Sequence, residues 1–159
     1  MIFYECFADK TFLECFGLTA KSLVGGHSFG RSRVSAKLRK SERSVGVIDE
    51  DPGASMDNYL KHLLLLPAIY KDDFLICIDD RKLTNRLIVL KPNLEALIVR
   101  IARDLRIDLT KQYNLPNTMR DLHEVLRIEN NHPERAKLAK FVEDNIKHPT
   151  FKRLGEILK

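Results

Sequence analysis

Ser44-Val45-Gly46-Val47-Ile48-Asp49-Glu50-Asp51-Pro52-Gly53 is a short apolar β-branched run that ends in acids and then in a turn dipeptide. Such a run, bounded by turn residues, predicts a buried strand over 44–48 with Asp49 at its carboxyl end. Upstream, Gly30 or Ser28 opens a helix that places Val34 and Leu38 on one face and Arg33, Lys37 and Lys40 on another. A minimal strand, Ser22–Val24, closes on Gly25-Gly26. A helix carrying Phe12, Leu13 and Phe16 precedes it and stops at Gly17. The aromatic run Ile2–Phe7 predicts a first strand. Downstream, residues 57–66 read as a helix, while Asp73–Ile78 and Arg86–Leu90 read as strands. Strands separated by single helices imply crossover connections. The expected fold class is therefore α/β, with a mostly parallel sheet flanked by helices. In such sheets functional groups gather at the carboxyl ends of the strands, where Glu5, Gly25-Gly26, Asp49 and Asp51 all fall.

From Pro92 onward the periodicity is helical. Leu94, Leu97, Ile98, Ile101 and Leu105 form one apolar stripe, and further helices are expected over 118–128, 132–146 and 149–158. The chain thus divides into an α/β core over 1–90 and a helical C-terminal extension over 91–159, expected to pack on the core as one unit. The extension's role, as packing, lid or dimerisation surface, is open at this level.

Composition bounds the function. The chain has 159 residues, 44% hydrophobic and 31% charged, with 7 Gly and 6 Pro, which excludes disordered and collagen-like classes. No apolar run approaches a membrane span, and Met1–Cys6 lacks the basic and apolar segments of a signal peptide. Cys6, Cys15 and Cys77 are odd in number and contain no C-x-x-C, so they read as small buried hydrophobes in a reducing, cytoplasmic protein. The net charge of +5 is modest. Its placement says more: Lys21, Arg31, Arg33, Lys37, Arg39, Lys40 and Arg43 face only Glu42, and the acids Asp49, Glu50, Asp51 and Asp57 follow at once. A basic block beside an acidic cluster suits a site that holds a metal and grips a polyanion.

In an extended segment residues two apart point the same way, so Asp49 and Asp51 can present oxygens to one hard cation such as Mg²⁺. Glu5, set in an apolar strand, must face water, a basic partner or that metal, because an unpaired buried charge is costly. Asp9 opens the first helix as a cap or joins the acids as an accessory. Glu95 is a first-turn helix carboxylate favoured by the dipole, or a further acid. Asp79-Asp80 also fall at a predicted strand end. His123, His132 and His148 lack metal-ligand spacing.

The text Phe3-Tyr4-Glu5-Cys6-Phe7-Ala8-Asp9-Lys10 together with Val47-Ile48-Asp49-Glu50-Asp51 resembles the TOPRIM domain, found in topoisomerases, bacterial primases, OLD nucleases and small stand-alone bacterial relatives. The resemblance covers about residues 1–80. It implies a parallel α/β sheet with Glu5, Asp49 and Asp51 around Mg²⁺, or Mn²⁺, acting on nucleic-acid phosphodiesters as a small nuclease or nuclease-like subunit. Cys6 stands where the family usually has Gly, and Gly53 where a third acid often follows. Those departures define an alternative, a catalytically silent module of the same kind that binds DNA, RNA or a partner protein, within a larger complex or as a homodimer.

Gly26, Arg31, Arg33 and Lys37 are the expected nucleic-acid contacts, with His27 as an accessory proton donor. A third reading takes Gly25-Gly26-His27-Ser28-Phe29-Gly30-Arg31-Ser32 as a degenerate phosphate loop for an NTP, with Arg31 where the motif has Lys. Arg is not a substitute for that compact charge.

Overall fold

The computed structural model describes residues 1–25, 30–128 and 132–159. A six-stranded sheet forms from β1 (Ile2–Phe3), β2 (Leu23–Val24), β3 (Val45–Asp49), β4 (Tyr70–Lys71), β5 (Leu75–Asp80) and β6 (Asn85–Leu90), in the order β2-β1-β3-β6-β5-β4. The β2-β1-β3-β6 block is parallel, with Val45 opposite both Ile2 and Arg86. Helices α1 (Phe7–Glu14) and α2 (Gly30–Arg39) make the crossovers around β2. Of the phosphate contacts expected in the glycine-rich turn, Gly26 and His27 lie outside the described residues, as does half of the phosphate-loop motif, residues 26–29.

The sheet is mixed, so the expectation of a mostly parallel one holds for the β2-β1-β3-β6 block and fails beyond it. β5 runs antiparallel to β6, and β4 antiparallel to β5. The cause is chain length: only Arg81–Thr84 join β5 to β6, and a parallel crossover needs a dozen residues or more. Asp80 fixes the turn by accepting hydrogen bonds from the Lys82 and Leu83 amides, while its second oxygen takes the Tyr59 hydroxyl. Asp79 pairs with Arg86. The reversal carries Asp79 and Asp80 to the end of the sheet opposite Asp49, so this acid pair belongs to a hairpin and not to the strand-end site.

Period-two alternation sorts the strands onto two cores. Val47, Leu75, Cys77, Ile88 and Leu90 face one side, and Ile48, Ile78, Leu87 and Val89 the other. α2 and α3 (Asn58–Leu64) cover the second side through Val34, Leu38, Leu60 and Leu63. The first side is covered by α1 and by the C-terminal helices α4 (Leu94–Asp104), α5 (Leu109–Tyr113), α6 (Met119–Leu126), α7 (His132–Asp144) and α8 (Pro149–Ile157). Phe12, Phe16, Phe141 and Phe151 meet edge to face there, joining α1 to α7 and α8. The helical extension is thus packed on the sheet and shares a core with the first helix. Among the described residues no helix is long and apolar enough to cross a membrane.

Two local departures bear on the site. The first strand stops at Phe3, short of the expected Phe7, because Cys6 is already the cap of α1. Glu5 therefore sits on the turn from strand to helix. Asp9 is the third residue of α1 and not its cap; its carboxylate accepts a 2.9 Å bond from the Cys6 amide. It anchors the helix from within the first turn. The turn is held close: a side chain at Gly25 would come within 2.5 Å of the Tyr4 carbonyl oxygen.

Candidate active site at the strand ends

β1 and β3 are neighbours, so their carboxyl ends bring residues 5 and 49 to the same rim although 44 positions separate them in sequence. Asp49 ends β3, and its Oδ1 accepts from the Leu94 amide at 3.1 Å, in the first turn of α4. Asn93 caps that helix by accepting from the Ala96 amide. Glu95, one residue beyond Leu94, is only 5% exposed. The rim therefore gathers Glu5, Asp9, Asp49 and Glu95 from the start of α1, the end of β3 and the start of α4.

Burial first, and then the charges of neighbouring acids, raises the protonation of Asp49, Asp9 and Glu5. Burial, then the charges of Asp9, Glu95 and Glu5, push the Asp49 carboxyl far above the ordinary aspartate range. Asp9 is also raised, chiefly by burial and further by Glu95, against the Cys6 amide that favours its charge. Glu5 is pushed up to about 7 by burial and by Asp9, with the Arg31 guanidinium and the Asp49 backbone amide pulling the other way. The Glu5 Oε1 is buried and accepts no hydrogen bond from any described residue. An orphaned carboxylate oxygen among crowded acids fits a hard, oxygen-seeking cation. As they stand the groups are spread around the rim: among the described residues no three acid, histidine or cysteine side chains are gathered tightly enough to enclose one ion.

Asp51 departs from the expected geometry. Extended backbone ends at Asp49, and Asp51 adopts φ +36° on an exposed turn, its amide bound to the Pro92 carbonyl. The two-residue alternation that would align it with Asp49 is lost, although its charge still acts on Glu5.

Arg31 does not stand on the surface against a nucleic-acid phosphate, as its place in a basic block suggests. It is 7% exposed, and its Nη2 donates to the carbonyls of Asp49 and Glu50, both at 2.8 Å. The guanidinium thus clamps the acidic turn from beneath, while Nη1 and Nε are buried without a described partner. Arg33 and Lys37 are exposed on α2, as is Lys40 just past its end. Sequence reasoning misses His123, whose Nδ1 lies 3.0 Å from Glu95 Oε1. The two are 28 residues apart in different helices, and no local spacing marks them.

No family model, curated protein or solved structure matches this chain.

Proposed function

We propose that the protein is a TOPRIM-like, Mg²⁺-dependent enzyme that hydrolyses nucleic-acid phosphodiesters. The observation that carries this reading is the buried, unpartnered Glu5 Oε1 set among acids that raise one another's protonation. Glu5 and Asp49 hold the metal, with Asp51 on the exposed side of the turn as the third donor. Asp9 and Glu95 stand beside this set as accessory acids, Asp9 bound to the Cys6 amide and Glu95 paired with His123. Mg²⁺, when bound, supplies Lewis acidity to a phosphoryl oxygen and to the attacking water. The chain's own contribution is placement. Arg31 fixes the Asp49–Glu50 backbone, and the α4 amide at Leu94 orients Asp49.

Cleavage of labelled DNA and RNA in Mg²⁺ or Mn²⁺ is the direct test. Glu5→Gln keeps the shape but weakens the donor, and is expected to lower the rate by about 10²-fold or more, several kcal/mol of barrier. A wild type inert on every single- and double-stranded substrate with both ions would refute the enzymatic reading.

One observation favours the binding-only alternative. Arg33 and Lys37 on α2 and Lys40 just past its end are exposed with no carboxylate partner among the described residues. If all three contact phosphates, the slope of log K against log salt is about −3. Affinity then falls roughly 40-fold between 50 and 200 mM salt. Replacing all three with Ala should flatten most of that dependence in a fluorescence-anisotropy titration. A slope unchanged in the triple variant would place the nucleic-acid surface elsewhere.

A further inference from the structure

Glu95 and His123 form a pair that the metal-binding acids do not use. Glu95 is buried in the first turn of α4, and its charge acts on both Asp9 and Asp49. His123 reaches it from α6, in the helical half, with Nδ1 3.0 Å from Glu95 Oε1. The two side chains are unequal in exposure: 7% for Glu95 against 55% for His123. With Glu95 ionised and the ring neutral, the carboxylate oxygen only accepts, which puts the hydrogen of this bond on Nδ1 and the lone pair on Nε2. Nε2 has no partner among the described residues. A buried acid that fixes the tautomer of an accessible imidazole is the arrangement by which enzymes orient a base.

We propose that His123 is the general base of this site and that Glu95 positions it. The inference rests on the phosphodiesterase reading above. The Nε2 lone pair takes a proton from water as the water oxygen forms its bond to phosphorus. The bond from phosphorus to the leaving nucleoside oxygen breaks, its electron pair stays on that oxygen, and a solvent proton neutralises it. The fold brings the helical half to the rim of the sheet and supplies the one imidazole there that joins an acid of the cluster among the described residues. The extension then completes the active site of the α/β core.

The alternative role for His123 is to satisfy a buried glutamate and nothing more, and two substitutions separate the roles. His123→Asn keeps an amide N–H near the place of Nδ1 and has no atom at Nε2; His123→Ala keeps neither. The full-length chain in Mn²⁺, assayed on labelled DNA and RNA, should lose about 10²-fold in kcat in both variants. KM should stay within about threefold of wild type, and added imidazole should restore His123→Ala at least tenfold. An Asn variant as fast as wild type, or an Ala variant indifferent to imidazole, would overturn the proposal while leaving the metal site standing. Absence of cleavage by the wild type would instead sink the phosphodiesterase reading, and the base with it. A readout without turnover comes from ¹⁵N NMR of the metal-free protein. The His123 ring should carry its hydrogen on Nδ1, and Glu95→Gln should erase that preference. A ring found with its hydrogen on Nε2 would refute the assignment.

Discussion

Asp49→Asn should raise the melting temperature of the metal-free protein at pH 8 by roughly 6–12 °C, about 3 kcal/mol, while abolishing its response to Mg²⁺. A gain in stability from mutating a proposed catalytic residue follows from the sign of its protonation shift. In the unfolded chain the carboxyl titrates near 4. In the fold, burial and then the charges of Asp9, Glu95 and Glu5 hold it well above that. Between the two values the native state binds a proton that the unfolded state does not, so stability falls as pH rises through this window. An asparagine side chain never ionises, and its amide oxygen can still accept from Leu94 as Asp49 Oδ1 does. The gain should therefore shrink to nothing near pH 4. Melting curves with a chelator at pH 4, 6 and 8 measure it directly. A variant less stable than wild type at pH 8 would show that the rim is not crowded with acids. Adding Mg²⁺ should stabilise the wild type and leave the Asp49→Asn variant unchanged. Cleavage by that variant should drop about 10²- to 10³-fold, the worth of one lost ligand.

The second large effect falls on Arg31. Replacement by Met should cost about 3 kcal/mol at pH 8, because it breaks a buried charge arrangement and leaves its partners in place. The Asp49 and Glu50 carbonyls lose their 2.8 Å donors, and Glu5 loses the cation that draws its protonation down. Removing that cation raises Glu5 beyond its present value of about 7. At pH 8 wild-type Glu5 is mostly ionised and draws on Arg31; at pH 5 it is protonated and needs no counter-charge. The cost should accordingly fall to about 1–2 kcal/mol at pH 5, where only the carbonyl bonds are missing. Urea unfolding at both pH values checks this. Equal losses at pH 5 and 8 would mean that the guanidinium serves the carbonyls alone.

What the residues announce in advance is what local periodicity can encode. The strand at Val45–Ile48, the helical stripe through Leu94, Leu97, Ile98 and Ile101, and the positions of Glu5, Asp9 and Asp49 near strand or helix ends follow from neighbours in the chain. The alternation of strands and helices points toward crossovers and hides the hairpin, whose four-residue turn, Arg81–Thr84, emerges only from the full extent of β5 and β6. Other features depend on pairings that leave no mark along the chain. The inward turn of Arg31 needs the Asp49 carbonyl 18 residues away to receive it. The Glu95–His123 contact needs α6 laid beside α4. The removal of Asp79 and Asp80 from the rim depends on which way β5 runs. Sequence by itself determined which acids exist and which elements carry them. Tertiary structure alone decided which of them share one low-dielectric rim, because strand direction and helix docking are fixed by burial over the whole molecule and not by any local run of residues.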